Sequence, residues 1–283
     1  MSNKHPETAP DVVPFFIDTH CHLDAAEFDA DRDDEYARAI AGGVGVQIVP
    51  AVSRDNFAAV AATCARYPGC LPAWGLHPMY IGVHRPGHLA DLRAQIEAQR
   101  PVAIGEIGLD LFVRDLDPVT QEFFLVEQLK IARDHDLPVL LHCRKANDPL
   151  LKHLRKIRVR GGIAHAFNGS PQQADEFIKL GFKLGFGGAF TWPRANNLRR
   201  LAVELPLEAI VLETDSPDIP PVWIGRGRNA PGELPRIART LAELRGLDID
   251  MVAQATTRNA RTLFGLGDDA AASAGNGNPS GRV

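Results

Sequence analysis

The chain has no cationic surplus. Its 283 residues carry 31 lysines and arginines against 35 aspartates and glutamates, a formal charge of −4. A protein that clamps long duplex DNA neutralises many phosphates and carries a basic face, so this balance excludes that class and leaves short, local contacts with nucleic acid. Cysteine is scarce. Cys21, Cys64, Cys70 and Cys143 form no C-x-x-C pair, which excludes a dense disulfide framework. No apolar run approaches the roughly 20 residues that cross a bilayer. The opening stretch, MSNKHPETAPDVVP, holds neither a signal-peptide core nor twin arginines. Export and membrane insertion are therefore not expected; the expected location is the cytoplasm, and nothing points to an obligate protein partner.

What is present is a core. Apolar residues make up 45% of the chain, and the length suits one closed α/β barrel of about 250 residues. Residues 1–13 are polar and proline-rich and read as a mobile lead-in. Residues 267–283, GDDAAASAGNGNPSGRV, are small, polar and aperiodic and read as a disordered tail. Between them, 14–266 shows no linker and no short repeat, so one domain is expected. Eight short apolar runs predict strands: 15–20, 46–51, 71–77, 102–108, 138–143, 161–167, 182–188 and 209–215. Amphipathic stretches separate them. In the clearest, 117–135, Asp117 caps, Pro118 takes the first helical position, and Phe123, Val126, Leu129 and Ile131 or Ala132 mark an apolar face. Two further helices are expected over 232–245 and 250–264. Eight strand–helix repeats with continuous apolar strands predict a parallel (β/α)8 barrel, with an open doubly wound sheet as the alternative.

The chemistry starts at Asp18-Thr19-His20-Cys21-His22. If strand alternation holds, Asp18, His20 and His22 point into the barrel and Cys21 points out. Two such histidines can chelate one metal ion through neutral imidazoles. Glu106, His142, His165 and Asp215 stand at or near the C-terminal ends of the fourth, fifth, sixth and eighth predicted strands. Barrel enzymes build their sites at that face from several strand ends. Four histidines and two carboxylates are thus expected to converge on one mouth.

The runs IDTHCHLD, GLHP, VAIGEIGLD, LPVLLHCR, AHAFNGS and LETDSPDIP, with Asn259 and Phe264 in the last helix, resemble the successive signatures of the TatD family of metal-dependent deoxyribonucleases. The resemblance spans 15–266, and GEIGLDLF together with Gly187 to Arg194 is similar to the YjjV-type branch. It implies a TIM barrel of the metallo-dependent hydrolase type and two divalent cations per subunit. It makes His20, His22, Glu106 and Asp215 the ligands of one ion, with Glu106 bridging to a second held by His142 and His165. It also implies a nuclease that trims DNA ends or short single-stranded DNA from the 3′ end. The family points to Mg, whereas the histidine-rich donor set favours Zn, Mn, Co or Ni. Catalysis falls to Glu106 as the bridge and to Asp215, at the rim, as acceptor of the attacking water's proton.

Around this set, Asp18 and Glu213 precede ligands by two residues and are expected to accept hydrogen bonds from a ligand imidazole or a cation. His77, Arg144 and Arg228 are expected to contact substrate phosphate, with Arg226, Asn229 and 168–170 as further donors. Trp192 and Trp223 are candidate stacking surfaces for bases. The basic run 144–160 leads away from the mouth and reads as a solvated helix face beyond Lys145. The acidic run from Asp24 to Asp34 is expected to assist a helix N-terminus and to repel a long polyanion. Lys145-Ala146-Asn147 replaces the acidic residue and alanine that many members of the family carry there, which bears on substrate preference. Cys21 and Cys143 read as buried small hydrophobes. The competing functions are a barrel hydrolase for lactones, amides or esters, aminoacyl-tRNA deacylation included, and a binding protein on a retired enzyme scaffold; no ligand is missing as the latter would require.

Overall fold

The computed structural model describes residues 14–267. The expectations of a mobile lead-in and a disordered tail fall on residues outside these, Gly267 excepted. Among the described residues eight strands alternate with helices. The strands are β1 (Phe16–Asp18), β2 (Val44–Pro50), β3 (Cys70–Trp74), β4 (Ala103–Asp110), β5 (Val139–Arg144), β6 (Gly162–Ala164), β7 (Phe182–Phe186) and β8 (Ile210–Leu212). The helices are α1 (Arg32–Ala41), α2 (Phe57–Arg66), α3 (His88–Ala98), α4 (Pro118–Asp134), α5 (Asn147–Lys156), α6 (Pro171–Lys179), α7 (Asn196–Glu204), α8 (Leu234–Arg245) and α9 (Ile249–Phe264). Each strand pairs in parallel with the next, in the order β1 to β8. The seam between β8 and β1 is stitched by backbone bonds: Thr19 N–H to Leu212 O at 3.1 Å, Asp215 N–H to His20 O at 2.8 Å and His22 N–H to Ser216 O at 2.7 Å. The sheet therefore curls into a (β/α)8 barrel rather than lying open.

Local chemistry explains the elements. β2 and β4 are buried along their whole length, as strands covered on both faces must be. α4 starts where Asp117 accepts from Val119 and Thr120 N–H, with Pro118 at the first turn. Its buried face departs from expectation: Phe123 is 44% exposed, while Gln121 and Gln128 are buried with Phe124 and Leu129. Both amides serve as backbone clamps. Gln128 accepts from Leu76 N–H and donates to Leu76 O, and Gln121 does the same for Asp110.

The lumen is a compact apolar plug. Ile17, Val46, Ile48, Ala73, Ala103, Leu140, Ile163 and Val211 meet Ala260, Leu263 and Phe264 of α9, which closes the end of the barrel opposite the candidate ligands. β7 gives this plug nothing. At Gly185 a Cβ would lie 2.1 Å from Glu213 Oε2, so the missing side chain makes room for a buried carboxylate. α9 is tied to β8 by Asn259, whose amide donates to Leu207 O at 2.9 Å and Ile210 O at 2.7 Å. Replacing Asn259 by leucine leaves both carbonyls short of a donor, and should cost about 2–4 kcal/mol and lower the melting temperature by roughly 5–10 °C. Calorimetry showing a fall of under about 2 °C would refute the clamp.

Candidate metal centre

Alternation aims three of the five strands that carry candidate ligands. Leu140 and His142 on β5, Ile163 and His165 at the end of β6, and Val211, Glu213 and Asp215 running off β8 share parity with the apolar plug. β1 and β4 break the rule, because Ile17 and Ala103 are the plug residues and have the opposite parity to His20 and Glu106. β1 ends at Asp18 and bends through Thr19 and His20. β4 shifts register against β5 between Ile104 and Ile107, an irregularity that spans Glu106. Such bulges re-aim single side chains beside active sites. Ala166, directly after His165, and Asp215 itself have φ of 44° and 56°, and Lys145, three residues after His142, has 57°. Left-handed backbone at ordinary residues costs of order 1–3 kcal/mol each and collects at functional sites.

All six expected ligands meet at one mouth, around Glu106. Its Oε2 lies 3.1 Å from His20 Nε2 and 3.7 Å from His22 Nε2. Its Oε1 lies 3.1 Å from His142 Nδ1, 3.1 Å from His77 Nε2 and 3.4 Å from His165 Nε2. Asp215 Oδ1 completes the first group, 3.6 Å from His20 Nε2 and 3.9 Å from His22 Nε2. His20 and His22 turn Nε2 atoms toward each other at 3.3 Å. One carboxylate thus faces two donor groups with two different oxygens.

The donor set fits metal ions. Two candidate ligand imidazoles face the centre with one nitrogen and a buried carboxylate with the other. His142 Nε2 lies 3.0 Å from Asp110 Oδ2, and His165 Nδ1 lies 3.4 Å from Glu213 Oε1. Metal-bound histidines are oriented in this way. Charge makes the same demand. Glu106, Glu213 and Asp215 are paired, among the described residues, with histidines alone, and buried carboxylates need a countercharge. Burial opposes the Glu106 charge, yet His77, His20 and His165 hold its carboxyl well below the usual range. Burial pushes His20 down to about 3 and His77 to about 4, against the pull of Glu106 on both. At His165 burial is outweighed by Asp215, Glu106 and Glu213, which drive it up to about 10. A proton is held there by the same negative charge that would hold a cation. Burial raises Asp215 to about 6 against the pull of His165 and His22.

His77 has a different geometry from the other histidines. Met79 N–H donates to its Nδ1 at 3.1 Å, so the neutral ring keeps its proton on Nε2. That atom offers a donor N–H to the mouth rather than a lone pair. Asp18, expected to support an imidazole, instead bridges the β1–β8 seam: Thr214 donates to it from N–H at 2.9 Å and from Oγ1 at 2.6 Å. Burial pushes its carboxyl up to about 8 against those bonds. Glu213 takes Ala166 N–H at 2.5 Å and lies 3.4 Å from His165 Nδ1.

The expected phosphate contacts divide. Arg144 stays at the mouth, its Nη1 3.9 Å from Asp110 Oδ2. Arg228 does not have the free donors the expectation requires. Four of its N–H bonds go to Glu27 O, Asp31 Oδ1, Asp31 Oδ2 and Glu35 Oε1, and its guanidinium stacks on Phe28. Asn229 is buried and donates to Thr214 O and Asp218 O. Ser170 caps α6 through Gln173 N–H. Trp223 donates to Glu233 and lies under Arg236, and Trp192 donates to Pro220 O, so both indoles pack against the chain itself. The acidic run is less repulsive than its composition implies, since Asp29 pairs with Arg32, Asp31 with Arg228 and Asp33 with Arg66. Cys21 and Cys143 donate to Gln47 and Asn147, and burial raises both thiols.

Asp110 is the residue that motif reading missed. It is buried, four positions after Glu106 in GEIGLD, and one carboxylate touches His142 while also accepting Phe112 and Val113 N–H. Burial opposes its charge, but these bonds hold its carboxyl down at about 2. The signal available was its place in the same strand run as Glu106.

A ring of histidines and carboxylates at the C-terminal mouth of a (β/α)8 barrel defines a metal-dependent hydrolase. The model of the TatD related DNase family matches residues 17–265. The metal-dependent hydrolase YjjV of Escherichia coli K12 is 44% identical over 255 residues, 89% of this chain and 98% of its own. The crystal structure of the YjjV TatD homologue from that organism superposes with a TM-score of 0.87 at 42% identity, covering 90% of this chain and 100% of that one. The 3′-5′ ssDNA/RNA exonuclease TatD of Cronobacter sakazakii is 35% identical, over 88% of this chain and 97% of its own. The chain belongs to the TatD family.

If Asp110 orients His142, Asp110→Asn should weaken metal binding about 10–100-fold while leaving the fold intact. Titration of the chelated protein with Mn or Zn checks this, and an unchanged metal affinity would show Asp110 to be structural only.

Proposed function

We propose that this hydrolase degrades single-stranded DNA from its 3′ end by two-metal phosphodiester hydrolysis. The observation that carries the reading is the division of Glu106 between two donor groups, His20 and His22 on Oε2, with Asp215 beside those two rings, and His142 and His165 on Oε1. The name of the Cronobacter relative, an exonuclease on single-stranded DNA and RNA, supports the substrate and the direction.

Phosphodiesters are anionic and resist attack by water. Held by His20, His22 and Asp215 on one side of Glu106 and by His142 and His165 on the other, two divalent ions would neutralise the scissile phosphate, make a water acidic and stabilise the leaving oxygen. The residues of this chain do the rest. Glu106 sets the separation of the two donor groups. Asp215, at the rim, accepts the proton of the attacking water. His77 directs its Nε2–H at a non-bridging phosphate oxygen, a contact for which its tautomer is already set by Met79 N–H. Arg144 pairs with the neighbouring phosphate, and its fork favours two parallel bonds. Few phosphates are gripped, which suits a chain with a net charge of −4.

Two measurements test the reading. Glu106→Gln keeps shape and removes the bridging charge; elemental analysis of the reconstituted variant should show at least one metal equivalent lost, and turnover should fall by more than the ~10–100-fold typical of losing an outer partner. Unchanged stoichiometry would rule out the bridge. On substrates, the metal-loaded protein should shorten linear single-stranded DNA progressively and spare a closed duplex circle. Arg144→Ala should raise KM for oligonucleotides roughly tenfold, whereas Arg228→Ala should lower stability and leave KM nearly unchanged. Internal cleavage of closed circles would defeat end-trimming, and hydrolysis of lactones or aminoacyl esters with DNA ignored would defeat the nuclease reading altogether.

A further inference from the structure

Large exposed apolar side chains are concentrated on one wall of the mouth. Met79 and Tyr80 follow β3, Leu111 and Phe112 follow β4, and Tyr80 and Phe112 are 47% and 54% exposed. An aromatic ring at the tip of a loose loop would mean little. These two are held. Phe112 and Val113 N–H donate to Asp110 Oδ1 at 2.9 and 3.0 Å, and the other oxygen of that carboxylate lies 3.0 Å from His142 Nε2. Gln121 clamps the Asp110 backbone from both sides. Tyr80 N–H donates to His77 O at 3.0 Å, and its ring centre lies 5.9 Å from that of His77. Each ring is thus anchored through one or two residues to a side chain that touches Glu106.

A cation accompanies them. The Arg144 guanidinium lies over the Phe112 ring, 4.1 Å from its centre. Flat apolar surface with a guanidinium beside it matches a ligand that is flat, aromatic and anionic at one edge. An unpaired nucleotide has this chemistry. The pairing also meets a difficulty set by the charge balance: at a net charge of −4, overall Coulomb attraction does not hold a polyanion, and local contacts must. Stacking of a base on an aromatic side chain contributes about 1–3 kcal/mol and tolerates any base.

We infer that Phe112 and Tyr80 form a stacking platform for unpaired bases adjoining the phosphate at Glu106, with Arg144 holding the intervening phosphate. This rests on the nuclease reading and extends it to the selection of single strands, because a paired base has no free face to offer. Trp192 and Trp223, the stacking candidates in the sequence, are packed against the chain and take no part.

The test uses the full-length, metal-loaded protein and two fluorescent probes of equal length, a phosphorothioate oligothymidylate and its abasic counterpart, with Kd read by anisotropy. Phe112→Ala and Tyr80→Leu should each raise Kd for the oligothymidylate about fivefold or more, leave the weaker Kd of the abasic strand where it is in the parent, and keep the melting temperature. Phe112→Trp should restore binding. Equal losses on both probes, or no loss on the oligothymidylate, would overturn the platform while the nuclease reading stands. A parent protein that binds neither probe would overturn both. A parent that sediments as a dimer and a Phe112→Ala variant that sediments as a monomer would identify the wall as a contact between copies and overturn the platform.

Discussion

Glu106 is 2% exposed, and no lysine or arginine among the described residues pairs with it; the groups facing its charge are imidazoles from four other strand ends. A carboxylate buried without a countercharge is among the costliest arrangements a fold can contain. Much else follows from that arrangement. His20 and His22, with Asp215 beside them, must approach one oxygen and His142, His77 and His165 the other. Counting β4, which carries Glu106, six of the eight strands must therefore end at matching heights. A barrel provides this, since staggered parallel strands bring their C-terminal ends to one rim.

The supporting layer obeys the same electrostatics. Asp110 and Glu213 stand behind His142 and His165, adding negative charge to a region already rich in it. Without cations these carboxylates destabilise one another, and the proton held by His165 only partly offsets them. A divalent ion would offset the excess, so the charge that these carboxylates concentrate at the mouth favours metal binding there. Stability comes from elsewhere: the apolar plug closed by α9, the glutamine clamps on Leu76 and Asp110, and Asp18 with Thr214 across the seam.

On the proposed reading, the outer wall lets a neutral-to-acidic protein handle a polyanion. Arg228 is consumed by Asp31 and Glu35, and the acidic stretch after β1 is neutralised by neighbouring arginines rather than left to repel. Arg144 stays at the mouth beside exposed aromatic surface. If Arg144 and the aromatic wall hold the substrate as proposed, affinity built from ion pairing and stacking would depend little on salt and discriminate by strandedness.

The sequence by itself determined the strand count and order, the helix start at Asp117, and the identity of the six side chains that meet at the mouth. Those follow from local composition and spacing, which act within a few residues. It did not determine how β1 and β4 aim their donors, because alternation fails at a bend and at a register shift, and both depend on neighbouring strands. Nor could it separate Arg144 from Arg228, or show Asp110 behind His142 and Asp18 across the seam. These pairings join residues between 32 and 197 positions apart. Which of several similar side chains finds a partner is decided by where the closed barrel sets the loops, and no periodicity in the chain records that placement.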